Sequence, residues 1–144
     1  VTSCDTNILL YAYNVRVPEH TRALAFLQAH LEDDNFALSE FALVEFYVLV
    51  RTPALFPRPR TATEATNLVQ ELRSNPYWRI LKATTDVSDL VWHAAAVEQF
   101  PRRAIFDARM AYSLAAEGVT RFATRNVGDF ERFDAFEVFN PLAD

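Results

Sequence analysis

Four acidic residues are spread along this chain, each at the head of a different secondary-structure signal: Asp5 in Cys-Asp-Thr-Asn, Glu45 inside an apolar stretch, Asp107 in Ile-Phe-Asp-Ala-Arg and Asp129 in Val-Gly-Asp-Phe. Carboxylates drawn from four separate places make chemical sense together around a divalent metal. Glu45 is the sharpest of them, because from Phe41 through Val50 it is the single charged residue. A helix through that stretch is apolar on every side, and a charge buried there must be neutralised, paired or metal-bound. If the four converge, each pair about 5 Å apart repels by roughly 3 kcal/mol at an effective dielectric near 20, so convergence itself implies a cation. Oxygen-only donors select hard ions, Mg²⁺ or Mn²⁺, rather than zinc. Taken singly, three of them have plainer roles. Asp5 could be an N-cap, Asp107 a helix-dipole carboxylate, and Asp129 the cap of a short helix through Phe133. Glu45 has the poorest bland account.

Other chemistries are weakly supported. His20, His30 and His93 are scattered and form no zinc spacing with Cys4, so each reads as a surface or packing residue. Cys4, the single cysteine, cannot form an internal disulfide and has no histidine near it in sequence, which makes it a small buried thiol. With Gly118 and Gly128 the only glycines, there is no phosphate-cradling loop. Ser39 is a helix cap rather than a nucleophile, lacking a G-x-S-x-G setting. The formal net charge of −5 argues at first against a nucleic-acid partner, but two divalent ions among the carboxylates would bring it to −1. The basic residues are arginines apart from Lys82, and arginine is the better phosphate fork. Arg51, Arg58 and Arg60 flank a Pro-rich loop, and Arg102, Arg103 and Arg109 flank Asp107; solvated surface charge is the equal alternative for any one of them.

The elements that must position these groups follow from periodicity. A length of 144 residues fits one domain, 1–144, and 51% hydrophobic content with 12 Phe rules out a disordered chain. The longest apolar run is broken by Glu45, so no membrane span is expected. No basic leader precedes the first motif, so no secretory signal is expected, and a prokaryotic cytoplasm is the natural setting. Val1 stands where a methionine would, which leaves a missing residue or two or a valine start codon as alternatives. Strands are predicted at 1–4, 36–38, 78–81, 121–124 and 137–139. Helices are predicted at 6–13, 19–31, from a Ser39 cap to Pro53, 63–73, from Asp86 or Ser88 to about Gln99, and through Asp107 to a C-cap at Gly118. This alternation predicts an α/β fold, a parallel sheet with right-handed crossovers and helices on both faces. Ligands on such sheets bind outside the carboxyl ends of the strands. Asp5 and Asp129 are expected on loops at that edge, with the N-terminus of the Asp107 helix over it and Glu45 projecting across from a neighbouring helix.

Asp5-Thr-Asn-Ile-Leu-Leu-Tyr-Ala, Glu45 in its apolar helix, Asp107-Ala-Arg-Met-Ala and Thr124-Arg-Asn-Val-Gly-Asp-Phe together resemble the PIN-domain ribonucleases, and more narrowly the VapC toxins of type II toxin-antitoxin systems. The similarity covers nearly the whole chain, through Asn140-Pro-Leu. It implies a five-stranded, mainly parallel sheet, a Mg²⁺- or Mn²⁺-dependent endoribonuclease that leaves 5′-phosphate and 3′-hydroxyl ends, a homodimer and a cognate antitoxin. Carried onto this chain, it implies Asp5, Glu45, Asp107 and Asp129 as catalytic residues, with Asp5, Asp107 and Asp129 holding metal and Thr6, Asn7, Thr124 and Asn126 supporting them. Many relatives have an acid where this chain has Asn126, so the fourth donor is Asp129, the Asn126 carbonyl, or both through water. Two alternative readings share part of this pattern. A haloacid-dehalogenase-like phosphatase would want an Asp at the place of Asn7 and a positioned lysine, for which Lys82 is the one candidate. A non-catalytic PIN-like binding module would usually have lost its acids.

Overall fold

The computed structural model describes residues 1–143. In chain order the elements are β1 (Thr2–Cys4), α1 (Thr6–Ala12), α2 (His20–Ala29), β2 (Phe36–Ser39), α3 (Glu40–Val50), α4 (Ala62–Arg73), β3 (Arg79–Leu81), α5 (Ser88–Ala95), α6 (Ala104–Ala116), β4 (Arg121–Ala123), α7 (Val127–Glu131) and β5 (Glu137–Phe139). All four strand pairings are parallel and the sheet order is β3-β2-β1-β4-β5. The chain therefore moves outward from β1 through β2 to β3, then returns to lay β4 on the other side of β1. That reversal between β1 and β4 is where open parallel sheets make their ligand crevice.

Neighbouring residues of a strand point to opposite sides of a sheet, and the core divides accordingly. Cys4, Phe36, Leu38 and Ala123 pack with α1 to α4, whereas Ala37 and Phe122 pack with α5, α6 and α7. Helices thus cover both faces, as the alternation predicts. Phe46 and Phe122, both fully buried, anchor the two halves; truncating either to alanine would cost about 3–5 kcal/mol.

Local signals explain the helix ends. Thr61 and Glu64 form a reciprocal capping box, so α4 opens at Ala62, one residue before the expected Thr63. At the end of α6, Gly118 takes φ +99; its N–H donates to the Ala115 carbonyl and that of Val119 to Leu114, closing the helix with a left-handed residue. Three expectations are corrected. α2 is shorter at both ends than 19–31. α5 has Val87 at its N-cap with no side-chain bond and stops at Ala95; Asp86 instead accepts from the Ser88 N–H in a turn ahead of it. Asp129 lies neither on a loop nor at the cap of a helix through Phe133 but in the first turn of α7, a helix capped by Asn126 and too short for periodicity to fix its bounds.

Candidate active site

The site begins where β1 ends. The Asp5 N–H donates to the Ala123 carbonyl at 2.8 Å, so strand pairing persists one residue past β1 and fixes the aspartate at the carboxyl edge of the sheet. As the N-cap of α1, Asp5 accepts the Thr6 N–H on Oδ1 at 2.8 Å. Its Oδ2 accepts the Thr124 hydroxyl at 2.8 Å and the Asn7 amide at 3.3 Å. Thr124, fully buried just after β4, in turn accepts the Asn126 N–H at 3.0 Å, and the Asn7 carbonyl accepts the Arg125 N–H at 3.4 Å. One polar network thus stitches the loops after β1 and β4 around a single carboxylate. Asn7 is spent as a donor to Asp5, not as the acid a phosphatase would want at that place.

Glu45 comes from α3, whose start is set by Ser39 accepting the Phe41 N–H at 3.1 Å. The expectation that Glu45 is buried is corrected: it is exposed. α3 buries Ala42, Leu43, Phe46 and Val50, while Phe41, Val44, Glu45 and Val48, at helical-neighbour spacing, share the outward face. Val44 and Val48 are 58% and 55% exposed, so the apolar residues around Glu45 are cleft wall, not core. α6 brings Asp107 in its first turn, and α7 brings Asp129.

Asp5, Glu45, Asp107 and Asp129 all line one cleft of about 730 Å³, together with Thr6, Phe41, Phe106, Arg103, Arg109 and Arg132 among others. Four elements separated in sequence therefore present carboxylates to one space. Burial, opposed by the Thr124 and Thr6 hydrogen bonds and assisted by the charges of Glu45 and Asp107, raises the Asp5 pKa to about 6. The Asp107 carboxyl is also raised to about 6, first by burial and then by Asp129 and Glu45, with Arg132 pulling it back. The acids feel one another, which is the electrostatic mark of convergence.

Among the described residues, no three His, Cys, Asp or Glu side chains are grouped tightly enough to hold an ion as they stand. The donor set nevertheless fits a small hard cation. Every donor is an oxygen, the acids repel one another, and Mg²⁺ usually binds through one or two carboxylates and keeps several waters. Of the proposed fourth donors, Asp129 lines the cleft; Asn126 is the N-cap of α7 and is absent from the lining.

Of the arginines marked in sequence, Arg103 and Arg109 reach the cleft; Arg51, Arg58, Arg60 and Arg102 do not line it. Arg51 donates instead to the Tyr47 hydroxyl at 2.7 Å. Arg132 was missed, and its signal was its position three residues after Asp129. Phe106, 68% exposed beside Asp107, was missed as well. The histidines stay outside: His20 Nδ1 meets the Tyr11 carbonyl, His30 meets Asp33, and none of the three lines the cleft. Cys4 is fully buried and its thiol pKa is pushed up by burial, the inert state expected.

No protein-family model matches the chain. Ribonuclease VapC24 of Mycobacterium tuberculosis is 41% identical over 140 residues, spanning 97% of this chain and 96% of the relative. Among solved structures, FitAcB from Neisseria gonorrhoeae superposes with a TM-score of 0.67 at 23% identity, covering 98% of both chains. VapC20 of M. tuberculosis, described as a sarcin-ricin loop cleaving toxin, gives a TM-score of 0.63 at 15% identity, covering 85% of this chain and 87% of that one. At those two identities the likeness is one of fold.

Proposed function

The chain belongs to the VapC family of PIN-domain ribonucleases, and from that membership we propose that it hydrolyses RNA phosphodiester bonds as the toxin of a toxin-antitoxin pair, using Asp5, Glu45, Asp107 and Asp129 with Mg²⁺ or Mn²⁺. The observation that carries this reading is the convergence of four carboxylates, one at the junction of β1 and α1 and the others on α3, α6 and α7, on one cleft rimmed by three arginines. Residues 1–144 act as a single nuclease domain in this account, working in a bacterial cytoplasm as a homodimer held in check by a cognate antitoxin. No described helix is long and apolar enough to cross a membrane.

Asp5, Asp107 and Asp129 would hold the cation, which when bound polarises a phosphate oxygen and lowers the pKa of attacking water. Thr124, Thr6 and Asn7 fix the Asp5 carboxylate so that its direction does not depend on solvent. Glu45, exposed on the cleft wall, accepts the proton of the water that attacks in line. Arg103, Arg109 and Arg132 meet the scissile and flanking phosphates, which lets a chain of net charge −5 hold a polyanion. The apolar wall of Phe41, Val44 and Val48 suits an amphipathic antitoxin segment whose basic residue enters among the acids.

The test is induced expression of wild type beside Asp5→Ala at matched soluble levels. Growth arrest with wild type alone supports the toxin reading; vigorous growth with both removes it.

A further inference from the structure

Where the rest of the RNA lies can be argued from a second groove, and the argument rests on the ribonuclease reading. This groove, of about 390 Å³, opens between the loop 83–87, α5 and α6. Arg109 lines both it and the carboxylate cleft, so one arginine borders the two. Its guanidinium also lies 4.7 Å from the centroid of the Phe41 ring on the cleft wall.

The lining suits a nucleobase better than a phosphate. Trp92 on α5 is 64% exposed, a large aromatic surface left in water although most indoles are largely covered. Asp86 is the one acid among the lining residues and Arg109 the one cation, so the groove has no excess positive charge with which to hold phosphate on its own. The Asp86 carboxylate meets both the side chain and the N–H of Ser88, the latter at 2.9 Å, and its remaining lone pairs can accept from an exocyclic amino group. Thr84 and Thr85 add hydroxyls able to donate or accept.

We propose that this groove is a nucleobase subsite, in which an unpaired base one nucleotide beyond the pair joined by the scissile linkage stacks on Trp92 while Arg109 forks the phosphate between that base and the cleft. Unstacked bases laid on aromatic side chains, with arginine on the backbone, are the usual means of holding single-stranded RNA. The subsite makes Trp92 a specificity-determining residue and favours cutting beside unpaired nucleotides.

The experiment compares wild type, Trp92→Ala and Trp92→Phe on an unstructured RNA of about ten nucleotides and on a dinucleotide confined to the scissile linkage. For the longer RNA, Trp92→Ala should raise KM about tenfold with kcat unchanged, and Trp92→Phe should restore most of the loss. The dinucleotide should not distinguish the three proteins. In chelator the longer RNA should quench tryptophan emission, a signal that reports on Trp92 because Trp78 is 8% exposed. Equal KM values for wild type and Trp92→Ala on the longer RNA would overturn the subsite while leaving the ribonuclease reading intact. A smaller mass of Trp92→Ala in light scattering, with KM unchanged, would overturn it in favour of a contact between copies of the chain. Absence of cutting by wild type on any RNA would overturn both.

Discussion

The two walls of the cleft are built differently. At the sheet edge, Asp5 is gripped by three donors from Thr6, Asn7 and Thr124, and its backbone is paired to β4. On the helical wall, Glu45, Asp107 and Asp129 stand on α3, α6 and α7, and among the described residues no hydrogen bond holds their side chains. One acid is therefore fixed before anything binds, whereas three can turn toward a cation or a phosphate when it arrives. The contrast explains why four acids share a cleft without forming a ready-made trio of ligands. Fixing all four at ligand distance would store several kcal/mol of repulsion in the free protein; fixing one and leaving three free avoids most of it.

The largest expected effect falls on the free wall. Glu45→Gln should lower RNA cleavage by about 10²–10⁴-fold, the range for a lost general base, with little change in melting temperature because the residue is exposed. A variant that is unstable yet fully active per folded molecule would make Glu45 a structural residue. On the fixed wall, Thr124→Val keeps the shape and removes the hydroxyl that steadies Asp5; metal affinity should fall about 10–100-fold, read by calorimetric titration with Mn²⁺. An unchanged affinity would mean that Asp5 needs no grip, and the distinction between the walls would fail.

The smallest effect is on stability against pH. Asp5 and Asp107 sit at about 6, above the ordinary aspartate value, so protonation favours the fold. The stability they contribute is fully present below the unfolded-state value near 3.9 and is lost as pH rises through about 6. Asp33, Glu64 and Asp86, whose pKa values are lowered, act oppositely, and their contribution is lost as pH falls below the ordinary carboxylate range. In chelator the melting temperature should therefore rise between pH 7.5 and about 5, and Asp107→Asn should flatten part of that rise. A flat profile for wild type would remove the premise that these acids are desolvated together.

Much of this was legible in the chain. The strand and helix alternation, the caps at Ser39 and Asp5, and the closing Gly118 all act locally, and local signals survive in sequence. The parallel sheet followed from them. The exposure of Glu45 did not follow, because an apolar stretch reads the same whether its outer face meets the core or a cleft, and only the packing of Leu43 and Phe46 decides which face turns inward. α7 was legible only as an alternative, a short helix through Phe133 with Asp129 as its cap, because five residues give too little periodicity to fix its bounds; the cap is Asn126, and the place of Arg132 went unread with it. The division of labour between the two walls was invisible for the same kind of reason, since the Asp5–Thr124 bond joins residues 119 positions apart.

Everything above turns on the joint action of four carboxylates and a divalent ion in cutting RNA. It is tested most directly by incubating purified wild type and Asp107→Asn with an unstructured RNA in Mg²⁺ or in chelator and mapping the product ends. The account predicts internal cuts by wild type in Mg²⁺, abolished by chelator and reduced on the order of 10²–10³-fold or more by Asp107→Asn. Cuts that persist undiminished in chelator, or that Asp107→Asn makes as fast as wild type, would contradict it.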